Sequence, residues 1–233
     1  MSTVSSAFLA AVSADPARPL LTWYDDATGE RTELSGATLA NWVSKTANLL
    51  VDGCGLGPGA KAAIDLPPHW QTAALYLSVW TAGLSVSAEP PLDVAFVGPS
   101  SAVADAPDVF AVGLHPFALP VRDLASGVED WVSSARVHGD HYSGPRPADG
   151  DLALGAFTHD SLVSFASSRA AALGLAAGSR VLLSVDDYPD VVDWLVAPLV
   201  AGCTLVLSAH TPPSTLEARA GVERATLALP ARS

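Results

Sequence analysis

Apolar residues recur at helical spacing in one stretch of the chain and at strand spacing in its neighbours. After Ser35, a residue type that caps helices, apolar positions return every three or four residues, which predicts a helix with one buried face. These positions are Leu39, Trp42, Val43, Ala47 and Leu50. Before this helix, Leu20–Asp25 and Arg31–Leu34 are extended runs on either side of Asp26-Ala27-Thr28-Gly29. That composition predicts a β-hairpin.

Strands and helices are predicted to alternate through the rest of the first part of the chain. Lys61–Leu66 and Leu84–Ala88 are predicted strands on either side of a strongly apolar helix, Trp70–Ala82. Further predicted elements are the strands Val94–Gly98 and Val109–Val112, a loop with short strand character at Ala118–Leu124, and a short helix at Gly127–Ser134. This alternation is typical of an α/β fold with mostly parallel sheets and flanking helices.

A second group of elements follows Ser143–Asp151, a stretch rich in proline, glycine and charge that predicts a linker or a long surface loop. Thr158 is expected to cap a helix from His159 to Leu173. The predicted buried face of that helix consists of Leu162, Val163, Phe165, Ala166 and Ala170. Strands are predicted at Val181–Val185, Thr204–Ser208 and Ala225–Leu229, and a helix at Tyr188–Ala201. We therefore expect two α/β subdomains, residues 1–145 and 146–233, which could also pack as one domain.

Composition excludes several classes of partner. Only 15% of the 233 residues are charged and the net charge is −12, so we expect neither nucleic acid nor an anionic membrane surface as a partner. The uncharged stretch Thr72–Ala88 approaches the length of a membrane span, but Gly83 divides it into a helix and a strand, and no span is predicted. Cys54 and Cys203 form no metal motif. Because the N-terminus lacks the basic start of a signal peptide, we expect free thiols and a cytoplasmic location.

One long segment resembles the opening of the adenylate-forming enzymes, the superfamily of acyl-CoA synthetases and AMP-binding proteins. The segment reads LSGATLANWVSKTANLLVDGCGLGPGAKAAIDLPPHWQTAALYLSVWTAGLSV. A helix, a glycine-containing turn at Leu56-Gly57-Pro58-Gly59, a strand and an apolar helix ending in Ala82-Gly83 follow in the family's order. Two later segments, FTHDSLVSFASSRAAALGLAAGSRVLLS and VDWLVAPLVAGCTLVL, resemble the family's units after its phosphate loop. The resemblance covers about Leu20 to Pro230 and implies the fold of the N-terminal subdomains of these enzymes.

The sequence departs from this family at the residues that would bind ATP. A Ser-, Thr- and Gly-rich loop with a lysine should precede Thr158-His159, since its backbone amides hold the phosphates. Here Leu154 is followed by Gly155-Ala156-Phe157 and then by Thr158, so the loop is deleted. Up to Ser233 the chain also lacks the family's adenine-binding segment, magnesium-binding glutamate, ribose-binding aspartate and C-terminal domain with its catalytic lysine. Adenylyl transfer depends on positioned cations around the phosphates.

These departures predict a pseudoenzyme: a non-catalytic binding or interaction module that needs no cofactor and binds ATP with Mg²⁺ no better than weakly. The alternative is a half-enzyme that completes an adenylation or acyl-transfer site with a separate partner chain. A third reading is a binder of a small acyl or nucleotide ligand. We also expect a homodimer or a stable protein partner, because sheet edges and apolar faces left uncovered tend to pair.

One acidic and aromatic loop is the first candidate for a ligand site. It follows the predicted strand Val181–Val185, and ligands favour the carboxyl ends of strands in open α/β sheets. The candidate ligand-binding residues are Asp186, Asp187, Tyr188, Asp190 and Trp194. The simpler interpretation is a helix N-terminus, where carboxylates are favourable. His138-Gly139-Asp140-His141 has weak metal-ligand spacing, and we predict a solvated loop there and no metal site.

Overall fold

Two β-sheets and the helices between and around them make up the computed structural model, which describes residues 3–101 and 105–231. The strands are β1 Pro19–Asp25, β2 Glu30–Ser35, β3 Lys61–Asp65, β4 Ser85–Val86, β5 Val94–Val97, β6 Asp108–Ala111, β7 Val128–Asp130, β8 Leu152–Leu154, β9 Phe157–Thr158, β10 Arg180–Ser184, β11 Thr204–Ala209 and β12 Leu227–Ala228. The α-helices are α1 Val4–Ala14, α2 Gly36–Asn48, α3 Trp70–Thr81, α4 Trp131–Arg136, α5 His159–Ala172, α6 Ala197–Val200 and α7 Pro213–Val222. Two π-helical segments, Leu49–Gly53 and Val192–Val196, extend α2 and precede α6.

The two predicted helix caps are confirmed. The Ser35 hydroxyl accepts a hydrogen bond from the Thr38 N–H at 3.1 Å, so it satisfies one of the free amides at the start of α2. The Thr158 hydroxyl does the same for Ser161 in α5, at 3.3 Å. The predicted hairpin is also present, as β1 and β2 pair in antiparallel fashion.

The strand order confirms an α/β fold with mostly parallel sheets. In the described residues, the five-stranded sheet has the order β12-β10-β11-β1-β2 and the seven-stranded sheet the order β7-β6-β5-β3-β4-β8-β9. Only the β1–β2 and β8–β9 pairs are antiparallel. Each sheet takes strands from both sides of the predicted boundary between residues 145 and 146, because β1 and β2 join β10–β12 while β8 and β9 join β3–β7. Whether the two parts behave as separate subdomains stays a prediction.

Helix α3 lies in the centre of the core. All of its residues except Tyr76 and Thr81 are buried, as expected for a helix that is apolar on every side. The indole Nε1–H of Trp80, in this helix, donates a 2.7 Å hydrogen bond to the Ala153 carbonyl and so holds β8 against the helix. Within the described residues, no helix has the length and apolarity that crossing a bilayer requires.

Several local predictions are wrong. The first residues of the predicted helix Gly127–Ser134 form β7, because Val128–Asp130 pairs with β6 at the sheet edge. Phe165 is 47% exposed instead of buried. The helix predicted from Tyr188 begins only near Val191 and runs as a π-helix before Pro198, which cannot donate to the carbonyl four residues earlier. Helix α7 was not predicted, since its sequence carries no continuous apolar stripe.

Candidate functional site

A cavity of about 740 Å³ lies at the carboxyl edge of the seven-stranded sheet. We call it the hairpin cavity, because the turn between β8 and β9 forms part of its wall. Its other walls come from the ends of β3 and β4, from α3 and α5, and from the loop after β10. The residues that matter for its chemistry are Asp65, Tyr76, Ser87, Phe157, Phe165 and Asp190. Carboxyl ends of parallel strands are where open α/β sheets bind ligands.

The β8–β9 turn stands where the resemblance places a phosphate loop. Leu154 pairs with Phe157, so only Gly155 and Ala156 connect the two strands. Gly155 has φ of +54°, a conformation that glycine adopts without steric cost. Its N–H donates a 2.8 Å hydrogen bond to the Val86 carbonyl and holds the turn against β4. This short turn offers no row of free amides to a triphosphate.

Two aromatic rings form the outer wall of the hairpin cavity. Phe157 and Phe165 stack with ring centroids 5.4 Å apart and an interplanar angle of 30°. They remain 39% and 47% exposed. An exposed stacked pair of this kind is an apolar surface that a ligand or a partner protein can cover.

The cavity lining is electrostatically negative. Its charged side chains are Asp65 and Asp190, and no lysine, arginine or histidine is among its described lining residues. Burial raises the pKa of the Tyr76 hydroxyl to about 12, and the nearby Asp190 carboxylate contributes to the rise. Tyr76 therefore stays a neutral hydroxyl that can donate a hydrogen bond. The site is suited to an uncharged or cationic molecule and unsuited to an anion.

The structure distributes the five sequence-predicted site residues over different environments. Asp190 lines the hairpin cavity, where its Oδ1 also accepts a 2.8 Å hydrogen bond from the Val192 N–H. Asp186 lines a second cavity and Asp187 a third, smaller one of about 230 Å³. Tyr188 is buried and donates to the Pro230 carbonyl at 2.8 Å, and Trp194 is buried edge-on against Tyr76. The five do not share one cavity, and their role as ligand-binding residues stays a prediction.

Sequence reasoning missed Tyr76, Phe157 and Phe165. Tyr76 lies within the apolar helix predicted at Trp70–Ala82, and its position in that pattern gives no sign of a cavity. The helical spacing of Phe165 predicts a buried position, whereas the structure exposes its ring. One signal was the large aromatic residue Phe157, which directly follows the two-residue turn at the deletion.

The other candidate groups form no metal site in the structure. Among the described residues, no three histidine, cysteine, aspartate or glutamate side chains converge as a metal ion would need. Cys203 is buried and Cys54 half-buried, and both are free thiols. Burial raises the pKa of Cys54 to about 12 and also raises that of Cys203, so neither is an activated nucleophile.

Similarity to a known protein extends over almost the entire chain. No family model matches the sequence. A protein of Mycobacterium tuberculosis (strain ATCC 25618 / H37Rv) described as a TIGR03089 family protein is 42% identical over 242 residues, which cover 97% of this chain and 98% of that protein. The chain belongs to the TIGR03089 family. The TIGR03089 relative matches over both sheets, so the hairpin cavity lies within the shared region.

Solved structures show which fold this TIGR03089 family member has. Acyl-CoA synthetase from Brucella canis superposes with a TM-score of 0.73 at 16% identity, over 95% of this chain and 46% of that one. Acetoacetyl-CoA synthetase from Streptomyces lividans superposes with a TM-score of 0.70 at 16% identity, over 97% of this chain and 42% of that one. Fatty acyl-adenylate ligase from L. pneumophila, in complex with acyl adenylate and pyrophosphate, gives 0.70 at 10% identity, over 98% and 44%. The chain has the fold of the N-terminal part of these enzymes and spans less than half their length.

Proposed function

We propose that this chain is a non-catalytic, adenylate-forming-enzyme-like protein that binds a small uncharged acyl compound in the hairpin cavity. The observation that carries the proposal is the two-residue β8–β9 turn at the place of the phosphate loop. Without that loop the described residues around the cavity present no amide cradle to a triphosphate, whereas the apolar walls of the cavity remain.

The negative charge of the cavity lining favours an uncharged ligand over an anion. A phosphate or carboxylate charge about 5 Å from Asp190 would be repelled by about 3 kcal/mol at an effective dielectric constant of about 20. Asp65 adds a second repulsion of the same sign. The neutral Tyr76 hydroxyl can instead donate to an ester, thioester or amide carbonyl, while the acyl chain contacts Phe157 and Phe165.

A matched pair of ligands tests the proposal. Octanamide and octanoate have the same chain, but octanamide ends in a neutral amide and octanoate in a negatively charged carboxylate. ATP with Mg²⁺ serves as the third compound. We expect octanamide to raise the melting temperature by mass action, and octanoate and ATP to raise it less or not at all. Asp190→Asn should reduce the difference between the melting-temperature shifts caused by octanamide and by octanoate. Asp160→Asn, an exposed substitution that removes the same charge, should leave that difference unchanged.

Catalysis is tested separately. ATP–pyrophosphate exchange with a panel of carboxylic acids should give no signal above a heat-denatured control. Exchange by the purified chain would refute the non-catalytic assignment, and stronger stabilisation by ATP than by octanamide would refute the choice of ligand.

The half-enzyme is the alternative function, and the exposed Phe157–Phe165 stack favours it. A separate chain that covered these rings would close the hairpin cavity on the side where the phosphate loop is missing. Such a partner would have to bring the phosphate-binding amides and a lysine. Isolation of a stable complex that gains pyrophosphate exchange would support this alternative.

Self-association and location complete the proposal. The exposed Phe157 and Phe165 rings are also the surface we expect a second copy of the chain to cover, with two-fold symmetry as the usual outcome. The two free thiols, Cys54 and Cys203, suit a reducing compartment, which supports a cytoplasmic location.

A further inference from the structure

A second cavity, of about 520 Å³, lies where the carboxyl ends of strands from both sheets meet. We call it the imidazole cavity, after His69 in its wall. Residues just after or at the ends of β1, β3, β6, β10 and β11 line it, so five parallel strands direct loops towards it. The loop after β10 separates it from the hairpin cavity, since Asp186 lines one and Asp190 the other.

His69 brings an unpaired hydrogen-bond donor to this cavity. The residue is only 3% exposed, and burial lowers its pKa to about 3, so the ring is neutral at physiological pH. Its Nδ1 accepts a 3.1 Å hydrogen bond from the Gln71 N–H at the start of α3. The single ring proton must then reside on Nε2. No described residue accepts a hydrogen bond from Nε2.

Trp23 packs beside His69 in the wall of this cavity. Its ring meets the His69 imidazole edge-on, with centroids 4.9 Å apart, and it is 4% exposed. Its indole N–H interacts with the Glu30 carboxylate, whereas the His69 N–H has no such partner among the described residues. Buried polar groups without partners are rare and costly. The unpaired His69 N–H in the wall of this cavity therefore indicates a ligand with an acceptor atom.

Carboxylates surround these donors. Asp25, Glu30 and Asp186 line the cavity. Burial raises the pKa of Glu30, and the neighbouring Asp25 charge adds to the rise, while the Trp23 indole offsets part of it. Asp186 Oδ2 accepts a 2.7 Å hydrogen bond from the His210 N–H, and Oδ1 has no hydrogen bond to any described residue. The region therefore favours a positive charge.

The second imidazole of the described lining, His210, interacts with the protein itself. Its Nδ1 lies 2.9 Å from Asp25 Oδ1, and the hydrogen bond to Asp25 raises the pKa of the imidazole. His210 and Leu114, both in the lining, have positive φ values of 53° and 50°. Such conformations cost free energy for residues other than glycine and concentrate at functional sites.

We propose that the imidazole cavity binds a small organic cation that carries an uncharged hydrogen-bond acceptor. The acceptor atom receives the N–H group of His69, and the cationic group lies against Asp186 and its neighbouring carboxylates. This site is independent of acyl binding in the hairpin cavity, so either proposal can fail without the other.

Three related compounds test the two halves of the proposed recognition. 4-(2-Aminoethyl)pyridine has both the acceptor nitrogen and the ammonium group, 2-phenylethylamine lacks the acceptor, and 4-ethylpyridine lacks the ammonium group. Binding is followed by the indole N–H resonances of ¹⁵N-labelled protein, with Trp23 assigned through Trp23→Phe. We expect a saturable shift of the Trp23 resonance by the first compound with a Kd of about 1 mM or tighter. Each of the other two should bind about fivefold more weakly, as expected for one lost interaction.

Variants separate direct contact from a general loss of charge. Asp186→Asn keeps an oxygen to accept the His210 N–H but removes the negative charge, and it should weaken 4-(2-aminoethyl)pyridine about fivefold while leaving 4-ethylpyridine unchanged. Asp140→Asn, an exposed change of equal charge outside the cavity, is the control and should change neither. His69→Phe should abolish the preference for the pyridines over 2-phenylethylamine. His69→Phe also removes the acceptor for the Gln71 N–H and can therefore fail to fold. In that case the comparison of Asp186→Asn with Asp140→Asn tests the proposal.

Three results would overturn the proposal. The first is the absence of a saturable Trp23 shift with 4-(2-aminoethyl)pyridine. The second is equal affinity for all three compounds. The third is an equal loss of affinity in Asp140→Asn and Asp186→Asn, which would reveal attraction to the net charge of the protein.

Discussion

Glu223, at the end of α7, offers the clearest quantitative test of how the five-stranded sheet is held together. Its side chain is 6% exposed and accepts hydrogen bonds at both oxygens. Arg180 Nη2 on β10 donates to Oε2 at 2.5 Å, while Arg31 Nη2 on β2 and the Tyr24 hydroxyl on β1 donate to Oε1 at 3.0 and 2.5 Å. Burial opposes the charged form, but these donors outweigh it and lower the pKa of Glu223 to about 2.

Glu223→Gln keeps the shape of the side chain and removes its charge. The bond to Arg180 is mostly buried, with Arg180 15% exposed, and the loss of its charge assistance should cost about 2 kcal/mol. Arg31 is 46% exposed, so its ion pair is screened by water and should add less than about 1 kcal/mol. The sum of about 2–3 kcal/mol should lower the melting temperature by about 5–10 °C at pH 7 for a chain of this length.

The pH dependence supplies an independent check. A carboxyl whose folded pKa lies below its unfolded value of about 4.5 stabilises the protein fully above that value, and the contribution is lost as the pH falls towards 2. The difference in melting temperature between wild type and Glu223→Gln, measured by circular dichroism, should therefore shrink from about pH 5 downwards. Glu217→Gln, exposed on the same helix, is the matched control. Equal melting temperatures for the two variants at pH 7, or a difference that persists in acid, would refute this reasoning.

Three further predictions concern the hairpin cavity. Asp190→Asn should lower the pKa of Tyr76 below about 12, because the substitution removes a negative charge that opposes the phenolate. An absorbance titration at alkaline pH, with Tyr76→Phe to assign the signal, measures this pKa, and an unchanged value would contradict the electrostatic effect of Asp190. Light scattering at micromolar concentration should give a mass above that of the 23.8 kDa monomer. Phe165→Ser should lower the measured mass towards that of the monomer, and a wild-type protein that is monomeric at all concentrations would contradict self-association. Gly155→Ala should lower the free energy of unfolding, measured with denaturant, by about 1 kcal/mol because alanine disfavours positive φ. Gly155→Asn should lower it less, and equal losses for the two variants would argue against a conformational cause.

Local elements were largely decided by neighbouring residues in the sequence. The β1–β2 hairpin, the Ser35 and Thr158 caps and the start of α3 at Trp70 all depend on interactions within a few positions along the chain. The alternation of strands and helices gave the α/β class for a related reason, since parallel strands need a crossover element between them. The deletion before Thr158 was equally visible, because a phosphate loop is a contiguous segment.

Only the tertiary structure decided which side chains share a cavity. Asp186, Asp187 and Asp190 are neighbours in sequence, yet the turn after β10 directs them to three different cavities. His69 and Trp23 are far apart in sequence, and their contact exists because strands of both sheets end at the same edge. Sequence periodicity records burial on one element at a time, whereas burial and hydrogen bonding of a loop side chain depend on elements distant in the chain. The sequence therefore determined most of the elements and the missing phosphate loop, and the packing of the two sheets determined where cavities form.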